Sequence, residues 1–258
     1  MRKPLVGAGL VNITIGLLIG CAATSAVGAE IVVFSAGAAK EAVLPLTQAF
    51  AQRTGHKVEV TFGTMGLIQQ KLGKGERADV LVVAAEIADT MHQSNTILGD
   101  TRKPLARVGV GVAVHEAAAA ADISTPEAFK ATLLAAKSIV MIDPKLGTSG
   151  KHLVEVYARL GVTELLPAKM QYGSGGYIVT PVGEGKVELG LHQISEILPV
   201  KGVKLVGPLP EALQKWTIYT AAITPASQVA GPARELIQYL SSAEARPVYL
   251  SKGFTPPE

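Results

Sequence analysis

Three segments in which small residues follow an apolar run constrain the fold of this 258-residue chain more than any other feature. Residues 31–34 are apolar and β-branched or aromatic, which predicts a buried strand, and residues 35–40 lead into a helical pattern. The first turn of a helix has unpaired N–H groups and the positive end of the helix dipole, so an anion can bind there where small residues allow close approach. Residues 62–66 and 143–150 have similar chemistry. Together these turns predict an anion-binding cleft.

The remainder of the chain alternates between strand and helix patterns. Residues 78–85 and 107–114 are nearly continuous apolar runs, as expected for strands of a covered parallel sheet. Helical spacing follows at 151–160 and 231–241. This alternation predicts an α/β fold. Pro45 lies inside the first predicted helix, which fits only if that helix starts late or bends there.

The N-terminal segment has the pattern of a secretory signal peptide, predicted here over residues 1–29. Two basic residues precede a mostly apolar run at 5–19, and small residues follow. Residues 27–29 suit an ordinary signal peptidase, whereas 18–21 resemble the lipobox of bacterial lipoproteins, in which Cys21 would be acylated. We favour the soluble form, since a strand is predicted directly after Ala29, and both forms predict a periplasmic location.

The net charge and the cysteine content limit the kinds of partner and the kinds of site that the mature chain can have. Removal of residues 1–29 takes away Arg2 and Lys3 and no acidic residue, so the net charge falls from +3 to +1. A chain without basic excess gives no reason to expect nucleic acid as a partner. Cys21 is the only cysteine, which excludes a disulfide or a cysteine metal site in the mature chain. No later apolar run is long enough to span a bilayer, so membrane association is expected only through a partner or a lipid anchor.

Common cofactor and nucleophile motifs are absent. A phosphate-binding loop at 145–152 would need glycine at Lys145 and Ser or Thr at His152. None of the five histidines pairs with an acid at metal-ligand spacing, and no nucleophile elbow surrounds Ser35 or Ser149. We therefore expect no cofactor, no metal and no hydrolase activity.

Taken together, several segments resemble the type 2 periplasmic solute-binding proteins, particularly their molybdate-binding branch. The resemblance covers nearly the whole mature chain and is carried by residues 33–34, 54–58, 62–63, 75–85, 143–144 and 184–191. It implies two α/β lobes with mixed sheets flanked by helices, two crossover strands at the hinge, near 107–114 and 216–223, and a solute in the cleft between the lobes.

The implied domain boundaries are a first lobe at 30–112, a second lobe at 113–220 and a return to the first lobe at 221–258.

The residues that the resemblance places at the ligand differ from the molybdate pattern. Ala38 stands where a serine is usual, Thr64 and Met65 replace a serine pair, and Gln193 replaces a tyrosine. Ser149 falls on a backbone-donor position. A tetrahedral oxyanion would lose two hydroxyl donors. A bulkier anion such as a small carboxylate is therefore favoured over molybdate.

A second resemblance raises an enzyme alternative. Residues 192–203 and 206–210 are similar to a branch of this family that includes aconitate isomerase. Moving a double bond in a tricarboxylate needs a base and an acid, and His192, Glu196 and Glu41 are candidates. The sequence assigns no catalytic residue, and binding without turnover is the favoured interpretation.

The sequence thus predicts a periplasmic binding protein that delivers a small anion to the membrane permease of an ABC importer. A module that only senses or scavenges the anion is not distinguished from it. The predicted ligand-binding residues are Ser35, Gly37, Ala38, Thr64, Met65, Ser149, Gly150, Tyr177, His192 and Gln193.

Overall fold

The computed structural model describes Met1 and residues 28–257. Residues 2–27 lie outside this range, so Cys21 and most of the predicted signal peptide are outside the described residues. Within the described part of the chain there are ten strands and nine α-helices. The strands are β1 (Glu30–Ala36), β2 (Lys57–Gly63), β3 (Val80–Ala84), β4 (Lys103–Val108), β5 (Val110–His115), β6 (Ile139–Ile142), β7 (Met170–Gly173), β8 (Leu189–Gln193), β9 (Val203–Pro208) and β10 (Thr217–Ile223). The helices are α1 (Lys40–Thr54), α2 (Met65–Gly73), α3 (Ala85–Gln93), α4 (Pro126–Ala135), α5 (Thr148–Leu160), α6 (Thr180–Gly183), α7 (Ile194–Ile197), α8 (Ala230–Leu240) and α9 (Arg246–Ser251).

The first sheet has the strand order β2-β1-β3-β10-β4. β1 runs parallel to β2 and β3, whereas β10 is antiparallel to β3 and β4. All five residues of β3 are buried, as the continuous apolar sequence indicates for a strand covered on both faces. One face packs around Phe50 of α1, and the other around Ile68 of α2 and Met91 of α3.

The second sheet has the order β7-β6-β8-β5-β9. β6 is parallel to β7 and β8, and β5 is antiparallel to β8 and β9. Phe129 of α4 and Leu153 of α5 fill the core on one face, while Val179 and Val182 cover the other. The predicted α/β architecture of two mixed sheets flanked by helices is confirmed.

The chain passes between the sheets twice. Gly109 separates β4 of the first sheet from β5 of the second, and a Cβ added at Gly109 would lie 2.8 Å from Nε2 of Gln214. The return runs between β9 and β10. Sheet membership therefore changes at Gly109 and between Pro208 and Thr217, while the lobe boundaries at 112 and 220 remain a prediction.

The first long helix contains a proline in its interior. α1 begins at Lys40, five residues before Pro45, and ends at Thr54; the next residue, Gly55, has a φ of 74°, in the left-handed region that favours glycine. Pro45 has no N–H to donate to the carbonyl of Glu41, so the helix lacks one internal hydrogen bond.

No described helix is long and apolar enough to cross a membrane.

Candidate functional site

A cavity of about 480 Å³ lies between the two sheets. Its wall includes the last residues of four strands, namely Ala36 of β1, Gly63 of β2, Ile142 of β6 and Gln193 of β8. Open α/β sheets bind ligands at the carboxyl ends of their strands, because the following loops and helix starts meet there. The cavity is therefore in the position expected of a binding site.

Three helix starts open on this cavity. The turn Gly37–Ala39 precedes α1, Thr64 precedes α2, and Gly147 precedes α5. The Thr64 hydroxyl accepts a hydrogen bond from the N–H of Leu67, whereas no side chain caps the starts at Gly37 or Thr148. Their first N–H groups have no partner within the helix, so both lobes present donors and positive dipole ends to one space.

Eight of the ten predicted ligand-binding residues line the cavity, and two do not. Those at the wall are Gly37, Ala38, Thr64, Met65, Ser149, Tyr177, His192 and Gln193. Ser35 is fully buried inside the first sheet, where its hydroxyl donates to the carbonyl of Ala36. A Cβ added at Gly150 would lie 2.4 Å from the carbonyl oxygen of Ile142, so Gly150 packs against a strand end behind the wall. Ligand contact by the other eight remains a prediction.

A histidine–carboxylate pair forms part of the wall. His192 Nε2 lies 3.1 Å from Glu196 Oε2, and both side chains are more than nine-tenths buried. The same Nε2 lies 3.1 Å from the carbonyl oxygen of Gly176. Since a carbonyl oxygen can only accept, Nε2 carries the hydrogen and donates it to Gly176. Gly176 has a φ of 69°, the left-handed conformation that favours glycine.

Two buried polar atoms at the wall have no partner among the described residues. They are His192 Nδ1 and Gln193 Oε1. On its other side the Gln193 amide donates from Nε2 to the hydroxyl of Thr217, at 3.3 Å. Buried polar atoms are normally hydrogen-bonded, and these two exceptions belong to side chains that line the cavity.

Tyr177 joins the two lobes at the edge of the cavity. Its hydroxyl donates a hydrogen bond to Glu41 Oε1 of α1, and Lys40 Nζ lies 5.1 Å from the centroid of its ring. We call Lys40, Glu41 and Tyr177 the interlobe clasp. Burial, followed by the hydrogen bond to Glu41, raises the pKa of Tyr177 to about 12. The phenol is therefore protonated at neutral pH.

The short helix α7 makes a second connection between the lobes. Ser195 donates a hydrogen bond of 2.7 Å to the carbonyl of Ala38, and Ile194 packs into the core of the first sheet. His192 and Glu196 flank these two residues in sequence. The His192–Glu196 pair is thus held where the second sheet meets the start of α1.

Several wall residues were not predicted as ligand-binding. Glu196 was named only as a candidate base, and Lys40 only as part of the opening turn, although both lie at the cavity. Tyr219 of β10 also lines it, as does Thr148 of α5. Burial raises the pKa of Tyr219, which keeps its phenol neutral. No sequence signal indicated Tyr219, because its strand is distant in the chain from every predicted turn.

Glu41, the other carboxylate considered as a base, is outside the cavity wall and accepts a hydrogen bond from Tyr177. Among residues 28–257, no three His, Cys, Asp or Glu side chains are grouped so that they could hold a metal ion.

Similarity to known proteins agrees with this architecture. The model of the bacterial extracellular solute-binding protein family matches residues 31–255. An aconitate isomerase from Pseudomonas sp is 30% identical over 230 residues, which is 87% of each chain. The molybdate-binding protein ModA of Escherichia coli (strain K12) is 24% identical over 230 residues, 88% of this chain and 89% of the relative.

Among solved structures, the periplasmic molybdate-binding protein of Azotobacter vinelandii superposes with a TM-score of 0.75 at 17% sequence identity. The match covers 88% of this chain and the whole of that one. The family match spans both sheets and the cavity between them. The chain therefore belongs to the bacterial extracellular solute-binding protein family, and its fold is that of the periplasmic molybdate-binding proteins.

Proposed function

We propose that this protein binds a small anion with more than one carboxylate in the cleft between its lobes. The observation that carries the proposal is the convergence of three helix starts, at Gly37, Met65 and Thr148, on one cavity. Each start offers N–H donors and a positive dipole end, which favour bound negative charge by about 0.3–1 kcal/mol even at exposed sites. Because donors come from both lobes, a bridging anion favours the closed form.

The size of the cavity allows a carboxylate larger than a tetrahedral oxyanion to enter. At the liquid volume of a water molecule per heavy atom, about 30 Å³, the five atoms of such an oxyanion occupy about 150 Å³. The twelve heavy atoms of a six-carbon tricarboxylate occupy about 360 Å³ on the same basis. The cavity of about 480 Å³ accommodates the larger ligand with room for bridging water.

The chemistry of the wall supports the same choice. Ala38, Met65 and Leu146 contribute apolar surface beside the helix starts. An anion with a carbon skeleton gains from contact with such surface, whereas a bare oxyanion gains nothing from it. Lys40 supplies a cationic side chain at the same wall.

We further propose that the protein works in the periplasm and passes its solute to the permease of an ABC importer. Membership of an extracellular solute-binding family and likeness to periplasmic molybdate-binding proteins support this assignment. The apolar segment at 5–19 supports export, and cleavage after Ala29 or acylation at Cys21 would give a free or a lipid-anchored form. Mass spectrometry of the mature N-terminus distinguishes the two.

A thermal-shift panel tests the ligand class. Citrate, cis-aconitate and trans-aconitate are compared with molybdate, tungstate, sulfate and phosphate. A ligand at a hundred times its Kd stabilises the folded state by about 2.7 kcal/mol, which raises the Tm of a chain of this size by several degrees. We expect this shift with a tricarboxylate. A shift with molybdate or tungstate alone would contradict the proposal.

A second candidate function is isomerisation of an unsaturated tricarboxylate in the same cleft. The buried pair His192 and Glu196 on the wall favours it, since proton transfer needs an acid or base within reach of the substrate. The similarity to an aconitate isomerase over 87% of the chain agrees with it. Incubation with cis-aconitate, followed by NMR detection of the trans isomer, tests this candidate, and absence of turnover removes it.

A further inference from the structure

The His192–Glu196 pair is not needed to hold the lobes together. Ser195 already donates a hydrogen bond to the carbonyl of Ala38, and Ile194 already packs into the core of the first sheet. Burial deprives two polar groups of hydration, so a buried pair of titratable side chains is weak evidence of a stabilising role. The pair lies on the cavity wall, more than nine-tenths buried, which points to a role toward the ligand.

Glu196 lies directly beside one of the proposed anion seats. An ideal Cβ built on Gly37 would stand 3.4 Å from Glu196 Oε1, with no other side chain as near to that position. Gly37 begins the turn that precedes α1. A ligand carboxylate bound to the N–H groups of this turn would therefore place its neighbouring carbon close to Glu196.

We propose that Glu196 is the base that exchanges a proton on the carbon next to a ligand carboxylate, and that His192 positions it. The inference rests on the proposed binding of a polycarboxylate and specifies the residues of the second candidate function. The substrate class is an unsaturated polycarboxylate with a methylene group between a carboxylate and the double bond.

The step is balanced without any co-reactant. The methylene C–H bond breaks, its proton forms an O–H bond on Glu196, and its electron pair delocalises over the adjacent carboxylate and the double bond. The N–H groups at the helix starts stabilise the added charge on the carboxylate oxygens. Return of the proton to the far allylic carbon moves the double bond by one position and restores the Glu196 carboxylate.

His192 holds this carboxylate in place. Its Nε2 donates to the carbonyl of Gly176 at 3.1 Å, which fixes the orientation of the ring, and the same atom lies 3.1 Å from Glu196 Oε2. Oε1 is then the oxygen of Glu196 that faces Gly37. A positioning residue of this kind changes the rate and its pH profile, and has less effect on ligand affinity.

Deuterium exchange tests the assignment in the full chain. The protein is incubated with cis-aconitate in D₂O, exchange at the methylene group and appearance of the trans isomer are followed by ¹H NMR, and ligand binding is measured in parallel by thermal shift. We expect Glu196→Gln to lower the exchange rate at least about hundredfold, the lower range for loss of a general base, with the ligand-induced Tm shift retained. Glu196→Asp should restore part of the rate.

The chain offers a matched control. Glu155 Oε2 lies 4.0 Å from His152 Nδ1, but this pair is outside the cavity wall and Glu155 is exposed. Glu155→Gln should leave exchange unchanged. His192→Gln should slow exchange and shift its pH profile, which loss of packing alone would not do.

Each outcome decides something different. Exchange by Glu196→Gln within twofold of the unmodified protein overturns the assignment of the base. Binding of the ligand by the unmodified protein without any exchange overturns the proton-transfer proposal, and the binding function stands. No Tm shift with any carboxylate overturns the proposed function itself.

Discussion

At the scale of single residues, the buried carboxylate of Asp79 does more for stability than the surface charges do. It accepts hydrogen bonds from the N–H of Val32, at 2.8 Å, and from the hydroxyl of Ser227, at 2.9 Å, and it pairs with Arg77 at 3.2 Å. Asp79 follows Ala78 in the apolar run at 78–85, so the sequence alone suggested no partner for it. The structure shows that it ties β1 to the segment before α8.

Replacement of Asp79 by alanine should be strongly destabilising. The change leaves the N–H of Val32 and the hydroxyl of Ser227 without their acceptor, and we expect a loss of about 2–3 kcal/mol in the free energy of unfolding. Urea denaturation measures it. The control is Asp89→Ala, which removes an exposed partner of Arg102 and should cost less than about 1 kcal/mol. Equal losses in the two variants would contradict this role of burial.

At the scale of elements, the proposed binding of an anion depends on the helix starts, and the start of α5 allows a direct test. Thr148→Asp places a carboxylate in the first turn of α5, at the cavity wall. The helix dipole favours this charge, so folding should be retained. The same charge occupies the proposed anion seat, and we expect at least a tenfold loss of affinity for a tricarboxylate in isothermal titration calorimetry.

A charge at another helix start provides the control for this prediction. Thr125 caps α4 in the same lobe by accepting a hydrogen bond from the N–H of Ala128, and it lies outside the cavity wall. Aspartate is also a good N-cap residue, so Thr125→Asp should leave both folding and affinity unchanged. Equal weakening by both variants would indicate a general charge effect and would contradict a seat at α5.

The sequence allowed prediction of the elements and turns, because strand and helix periodicity and small-residue turns are local. Gly37 and Thr64 directly follow the carboxyl ends of β1 and β2, and Ser149 lies in the helix that follows the carboxyl end of β6, so all three turns are at the cavity. Ser35, also predicted as a ligand residue, is enclosed in the sheet one position before the wall residue Ala36. Tyr219 and the contact of Tyr177 with Glu41 depend on tertiary placement, which no local pattern encodes.

At the scale of the whole molecule, the interlobe clasp links the closure of the cleft to a single hydrogen bond. Tyr177→Phe removes the donor to Glu41 and leaves the ring over Lys40. We expect ligand dissociation to accelerate about fivefold, equivalent to about 1 kcal/mol, in stopped-flow measurements. Tyr172→Phe is the control, since Tyr172 is exposed and outside the cavity wall. Unchanged dissociation in Tyr177→Phe would contradict a role of the clasp in closure.

The clasp also has a defined pH dependence. The pKa of Tyr177 is raised to about 12 in the folded chain, against about 10 for an unperturbed tyrosine. Its contribution to stability is therefore present in full below about pH 10 and is lost as the pH rises through about 12. The difference in Tm between the unmodified protein and Tyr177→Phe should follow this course. A difference that is constant to pH 12 would contradict it.

We propose that helix starts from both lobes hold one anion between them. A crystal structure of the protein grown with a tricarboxylate tests this most directly. We predict ligand oxygens within hydrogen-bond distance of N–H groups in the turn at Gly37–Ala39 and in the first turn of α5, on opposite sides of one molecule. A tricarboxylate bound to one lobe alone, or bound outside this cavity, would contradict the account.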